Sequence, residues 1–490
     1  MFATIFATQI FVSMLLIATT TLMMCAPAAP PATPNIILIL TDDQGWGATS
    51  VQMDDREPAS ASDFIQTPNL EKLAARGLRF ASGYAPHPNC SPSRCSILTG
   101  KSTALLKFTD IVGRNDGPPY EGNKLIPPKH INAIPDAEVT IAELIKQNRP
   151  EYATAHFGKW HLKGGGPERH GFDLSDGETG NREGSQKVPG NPKRIFGITD
   201  RGNAWMAEQV RSGKPFYLQL SHYATHLGIE ALESTIAKNT RRTPGKRHNQ
   251  VDHASMAEDL DTGVGRVLDQ VEALGITDNT YIIYVADNGT YPLPNPGNTN
   301  GPLHGWKATA WEGGIRVPFI IAGPGIQPGQ SNTRVVGYDL YPTICDMLNI
   351  AGVPGGVEGG SLLPVLTGDR TGAVSRSQNF LVFHWPHYQL QKASHPATAI
   401  YQGPYKLLKF WETGELRLFD LTKDLDETNN LAGSMPDKAE ELHEKLMAYL
   451  KEIDAGMPVV NADYQPDTDP GKKEWNIKQR LLDEAYFILE

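Results

Sequence analysis

The chain has 490 residues, 40% of them hydrophobic and 20% charged, an ordinary globular composition with length enough for two domains. Its formal net charge of -10 argues against a general nucleic-acid or polyanion binder, although an acidic protein can still hold an anionic group in a locally basic pocket. The cysteines, Cys25, Cys90, Cys95 and Cys345, are too few and too scattered for a disulfide framework and lack zinc-ligand spacing.

Met1 to Cys25 is an apolar, hydroxyl-rich run without a charge, and no lysine or arginine precedes Arg56. Ala26-Pro27-Ala28-Ala29 offers small-residue cleavage positions, so residues 1–29 read as a secretory signal peptide, although the usual positive start is missing. Lipid attachment at Cys25 fits less well, because the bulky Met24 precedes it. No later segment is apolar enough to span a membrane. The expectation is an exported protein, periplasmic or secreted, with no stable membrane span in its mature form.

Asn35-Ile36-Ile37-Leu38-Ile39-Leu40 is apolar at consecutive positions, the pattern of a strand buried on both faces in a parallel sheet. It runs into Asp42 and Asp43. Adjacent carboxylates after a central strand lie at the ligand-binding edge of an α/β sheet, and they repel unless a hard cation such as Ca²⁺ or Mg²⁺ lies between them. Thr67 to Arg76 predicts a helix closed by Gly77. Ser93 to Leu98 reads as the first turns of another, with N–H groups facing Cys90.

Tyr152 to Phe157 predicts a strand leading to Lys159 and His161, and Phe216 to Leu220 one leading to His222 and His226. Between them, residues 164–201 read as long loops over the active edge. The basic segment Lys238 to His248 reads as a solvated loop, or as a contact for anionic groups on a polymer. Ala254 to Leu274 carries a helical apolar stripe. Tyr281 to Ala286 is a second fully apolar strand, ending in Asp287 and Asn288, with further oxygen ligands at a strand end. Beyond Gly359, closely spaced short strands and a charged amphipathic helix suggest a small antiparallel sheet in a second domain. The expected division is a first domain over 30–375 and a second over 376–490 that ends in an acidic tail.

Cys90-Ser91-Pro92-Ser93-Arg94, followed by Leu98-Thr99-Gly100, resembles the signature of the formylglycine-dependent sulfatases. With the strand-end segments in order, the chain resembles a type I sulfatase of the alkaline-phosphatase superfamily. That resemblance implies an α/β fold with a large, mostly parallel sheet sandwiched by helices, plus the smaller antiparallel lobe. It implies that a formylglycine-generating enzyme converts Cys90 to formylglycine (3-oxoalanine), whose hydrate attacks a sulfate monoester. It further implies that Asp42, Asp43, Asp287 and Asn288, with residue 90, hold Ca²⁺ in preference to Mg²⁺. Arg94 would bind the formylglycine, Lys159 and Lys307 would offset charge, His161 would take a proton from the hydrate, and His226, with Lys307, would protonate the departing alcohol. Imidazoles suit both tasks near neutral pH. His304, His384 and His387 are secondary candidates for sugar contact, although Phe383 to Tyr388 reads equally well as a packed aromatic turn. A sulfated carbohydrate is the expected substrate, ahead of a small aryl sulfate. Two alternatives stay open: a phosphonate or phosphodiester hydrolase of the same superfamily, and a non-catalytic anion-binding relative.

Overall fold

An unbroken apolar run cannot leave a face to water, and strand β1 (Asn35–Thr41) is buried at every position. In the computed structural model, which describes residues 33–114, 122–292, 299–389 and 394–465, it lies inside an eight-stranded sheet. The other strands are β2 (Gly77–Phe80), β3 (Ala153–Gly158), β4 (Leu174–Ser175), β5 (Phe216–Ser221), β6 (Thr280–Ala286), β7 (Phe319–Ala322) and β8 (Gly329–Ser331). Their spatial order is β8-β2-β7-β6-β1-β5-β3-β4. All pairings are parallel except those of β7, which runs antiparallel to β2 and β6. The segment expected to be a signal peptide, with Cys25, and the end of the acidic tail lie outside the described residues.

Helices flank the sheet: α1 (Pro68–Ala75), α2 (Cys90–Thr99), α3 (Ile141–Asn148), α4 (Ile195–Arg211), α5 (Val251–Ala273) and α6 (Leu340–Met347). Because side chains alternate along a strand, β1 feeds two cores. Ile36, Leu38 and Leu40 pack with α2, α3 and α6, whereas Ile37 and Ile39 pack with α1, α4 and α5. Each fully buried aliphatic side chain contributes about 1.5–3 kcal/mol of transfer free energy.

Two boundaries differ from expectation. Helix α2 starts at Cys90 instead of Ser93, because Asn89 is extended and Pro92 lies in the first turn, where a missing N–H costs nothing. Helix α4 begins at Ile195, inside the stretch read as loop, because Ile195, Ile198, Thr199, Trp205 and Met206 form one buried face. The basic segment keeps Arg241, Lys246 and Arg247 exposed, as a solvated stretch does, while other charges in it are paired. Lys238 and Arg242 each reach Glu258 at 2.6 Å, and Asp63 accepts from the backbone of Lys246, Arg247 and His248.

After the main sheet, β9 (Leu381–Trp385), β10 (Ala397–Gln402), β11 (Tyr405–Phe410) and β12 (Leu416–Asp420) form an antiparallel meander. One face packs on Tyr84, Ile315, Val336 and Tyr338 of the larger lobe. The other is covered by α7 (Pro436–Glu452) through Leu442, Leu446 and Leu450. At the seam Glu312 is fully buried: it accepts from Tyr84 at 2.8 Å and pairs with Arg316 at 3.3 Å and Lys406 at 3.2 Å. Lys406 also pairs with Glu427 at 2.6 Å.

Candidate active site

Four parallel strands, β6, β1, β5 and β3, deliver their carboxyl ends to one edge of the sheet, the place where open α/β folds gather ligands. The residues just past those ends are Asp287 and Asn288, Asp42 and Asp43, His226, and Lys159 and His161. Backbone hydrogen bonds stitch the strand ends together. Asp42 N donates to Ala224 O at 2.9 Å, Asp287 N to Thr41 O at 3.0 Å, and Lys159 N to Ser221 O at 2.8 Å. Gly158, at φ 99°, permits the turn into Lys159; a Cβ there would lie 2.0 Å from Ser221 O. Gly289 follows Asn288 for a similar reason, since its Cβ would lie 1.9 Å from Gly313 O. Asp43 and His161 both hold left-handed backbones at φ 57°, at about 1–3 kcal/mol each, which the surrounding packing must offset.

Helix α2 aims its first turn at this edge. Cys90 is fully buried, and its Sγ lies 3.4 Å from His161 Nδ1. Ser91 Oγ, which sequence reasoning missed, lies 3.3 Å from the same nitrogen. Arg94 donates to Asp287 Oδ2 through Nε at 2.9 Å and to Lys159 O through Nη1 at 2.7 Å. Lys159 Nζ donates to Asp42 Oδ2 at 2.6 Å. Lys307 Nζ donates to Asp43 Oδ1, which also accepts from Asn288 Nδ2 at 2.7 Å. His226 Nε2 lies 3.8 Å from Asp43 Oδ2.

Donor atoms of Asp42, Cys90 and Asp287 all lie within 4.8 Å of one another. Asp42 Oδ1, Asp43 Oδ2 and Asn288 Oδ1 are buried without a hydrogen-bond partner. Orphaned buried oxygens are costly unless something else satisfies them. Hard oxygen donors of this kind are what a divalent cation of the Ca²⁺ or Mg²⁺ type takes, so the residues present fit such an ion.

The field is strongly polarised. Against the effect of burial, Lys159, together with His226 and Arg94, holds Asp42 well below the usual carboxylate range, and Lys307, again against burial, lowers Asp43. Burial and the neighbouring Asp42 charge push Asp287 well up, although Arg94 opposes the shift. Burial, reinforced by Lys159 and Arg94, pushes His161 well down. Burial also lowers His226, to about 3, although Asp43 and Asp42 oppose the shift. Lys307 is held well above its ordinary value by Asp43 in spite of burial.

The secondary histidines lie elsewhere. His384 is fully buried, with both ring nitrogens taken by Thr398 Oγ1 and Gly456 O at 2.8 Å each. His387 is fully buried against Thr109 Oγ1 at 2.8 Å. The packed aromatic turn therefore describes this segment, and these rings are closed to a sugar. His304 is exposed but stacks on Trp311 at 4.1 Å. Sequence reasoning also missed Tyr291, whose ring lies under Lys307 at 5.2 Å, and Lys193, a buried lysine beside the His226 loop. Both come from loops with no periodic signal.

A nucleophile-bearing helix start, acidic oxygens ready for a cation and three buried basic side chains together equip a hydrolase for an anionic ester. Comparison with known proteins narrows that class. A profile of the family described as Sulfatase matches residues 34–350, and one described as N-sulphoglucosamine sulphohydrolase, C-terminal, matches residues 303–455. The chain belongs to the sulfatase family, as a type I sulfatase of the alkaline-phosphatase superfamily and thus a sulfuric ester hydrolase. Similar curated proteins include a Sulfatase of Formosa agariphila, 27% identical with 85% of this chain and 88% of that protein covered. The N-acetylgalactosamine-6-sulfatase of Canis lupus familiaris is 30% identical, with 68% and 66% covered. Human arylsulfatase A is 28% identical, with 82% and 84% covered. Among solved structures, Ps i-CgsB superposes with a TM-score of 0.70 at 21% identity, covering 93% of this chain and 99% of that one. BT4656 in complex with its substrate D-glucosamine-2-N,6-O-disulfate reaches 0.63 at 21% identity, covering 86% and 98%.

Proposed function

We propose that this sulfatase removes a sulfate monoester from a carbohydrate, with Cys90 matured to formylglycine and Ca²⁺, in preference to Mg²⁺, held by Asp42, Asp43, Asp287 and Asn288. The observation that carries the reading is the convergence of Cys90 with Asp42 and Asp287 within 4.8 Å, beside three unpartnered buried oxygens. The sugar is supported by the named substrates of relatives and neighbours, an N-acetylgalactosamine 6-sulfate ester and a glucosamine disulfate. The apolar run over residues 1–25 and the small residues after it support export and an encounter with a formylglycine-generating enzyme on the way.

When present, the aldehyde hydrate supplies an oxygen nucleophile and the cation withdraws charge from the sulfate. The chain's own residues do the rest. Arg94, Lys159 and Lys307 supply fixed positive charge in a water-poor site, where such fields act most strongly. His161 Nδ1, kept unprotonated by its surroundings, faces residue 90 and is placed to accept a proton there. His226 donates Nδ1–H to Leu227 O at 3.2 Å, which turns Nε2 toward the site. The negative charge of an incoming sulfate favours the doubly protonated ring, and Nε2 then gives its proton to the departing alcohol oxygen.

The test uses matured protein on 4-nitrophenyl sulfate, on bis(4-nitrophenyl) phosphate and on a panel of position-defined sulfated saccharides, with mass spectrometry of the peptide carrying residue 90. The expected result is aldehyde at residue 90 and selective turnover of one saccharide position. Faster hydrolysis of the diester, or active protein that retains an unmodified thiol throughout, overturns the reading.

A further inference from the structure

Lys193 is a charge in an unfavourable place. It is 1% exposed, no carboxylate pairs with its ammonium among the described residues, and both it and Arg194 hold left-handed backbones, at φ 48° and 56°. A buried ammonium and two consecutive strained residues are costly features. Lys193 Nζ donates to Leu227 O at 3.0 Å. That is the same carbonyl that accepts His226 Nδ1–H at 3.2 Å. The Lys193 backbone is itself held, with its N–H donating to Glu230 Oε2 at 2.9 Å. Arg194 Nε donates to Glu183 O at 2.7 Å and anchors the other side of the turn.

From this shared carbonyl we infer that Lys193 is a positioning residue: it clamps Leu227 O so that the His226 ring keeps Nε2 aimed at the leaving-group oxygen. Without the ammonium, one acceptor orients the ring on a loop in which Gly228 is exposed and Leu227, Ile229 and Glu230 are only half-buried. The carbonyl is then free to turn to water. A misaimed acid cannot follow the departing oxygen, so negative charge builds up on it. The loss therefore falls on poor leaving groups and spares good ones. Lys193 need touch neither substrate nor cation to have this effect.

The inference rests on His226 being the general acid, and the experiment separates the two claims. Matured wild type, Lys193→Met, Lys193→Arg, Glu230→Ala and His226→Ala are each assayed on a series of substituted phenyl sulfates whose phenols differ in acidity. The readout is the slope of log kcat/KM against the pKa of the leaving phenol. Lys193→Met should lower kcat/KM about 30-fold for the least acidic phenol and less than about 3-fold for the most acidic, with KM nearly unchanged. Its slope then steepens toward that of His226→Ala, and Lys193→Arg restores the shallow slope. Glu230→Ala, at a half-buried position, steepens the slope to a smaller extent and serves if Lys193→Met does not fold. A steep His226→Ala line with Lys193→Met and Glu230→Ala lines parallel to wild type overturns the role of Lys193. A His226→Ala line parallel to wild type overturns the general-acid reading instead, and this inference with it.

Discussion

At the scale of single residues, the site depends on a small set of buried side chains. Cys90 is enclosed but small, so Cys90→Ala should fold normally, with a thermal midpoint within a few degrees of wild type, while turnover of 4-nitrophenyl sulfate falls by about 10⁴-fold or more. Unfolding of that variant would instead mark the thiol as a packing element. Asp287 has two duties, holding Arg94 at 2.7 Å and offering an oxygen to the cation cluster. Removing the whole side chain would strand a buried guanidinium, at a cost of about 3–5 kcal/mol. Asp287→Asn is therefore the cleaner probe, because it keeps the shape and an acceptor for Arg94. Bound calcium, measured by elemental analysis after dialysis, and activity should disappear together in this variant. Retention of calcium with loss of activity would remove Asp287 from the ligand set.

At the scale of elements, geometry does the positioning. The turn Asp287-Asn288-Gly289 lies against the turn Glu312-Gly313-Gly314 with no room for a methyl group. Gly289→Ala should lower stability by about 3 kcal/mol, read from the urea midpoint, and should lower activity more than the stability loss alone explains, because Asn288 moves with the turn. The strands and their end residues were legible in the sequence for a physical reason. A strand covered on both faces must be continuously apolar, and the next residue along is then at the ligand edge. Asp42, Asp43, Lys159, His161, His226, Asp287 and Asn288 were found that way or by the family pattern built on it. Lys193 and Tyr291 were not, because nothing local in a glycine- and charge-rich loop says where it will lie. His384 and His387 illustrate the opposite error: an aromatic-rich segment looks the same in sequence whether it faces a ligand or a core. Helix α4 escaped notice because its buried face mixes Thr199, Gly202 and Gln209 with the apolar residues, which blurs the helical stripe.

For the whole molecule, the two lobes are joined by buried charge as well as by apolar packing. Glu312 is held at about 2 by Lys406 and Arg316 in spite of burial, whereas burial and the Glu312 charge raise Glu427 to about 7. The folded state therefore binds a proton at Glu427 that the unfolded chain, with an ordinary value of 4.5, has already released. Stability from this group is present below about 4.5 and is lost as pH rises to about 7, after which it levels off. Over that window the urea midpoint of wild type should fall relative to that of Glu427→Gln, and parallel curves would show that Glu427 does not titrate there. The pairing also ties the shorter lobe to the longer one, since Lys406 and Glu427 complete a site whose central acid, Glu312, lies only five residues beyond Lys307.

The seating of α2 sets an order of events in the life of the protein. All ten of its residues are buried, so once the helix has docked no other enzyme can reach the sulfur of Cys90 or read the residues around it. On the proposed maturation of Cys90, conversion would therefore belong to the newly made, still extended chain, and folding would close the opportunity. Two populations with the same fold would then follow, one competent and one inert, in a ratio set by a race between modification and folding. The specific activity of a preparation would thus record its history of synthesis, and refolding the inert fraction alone would not recover it.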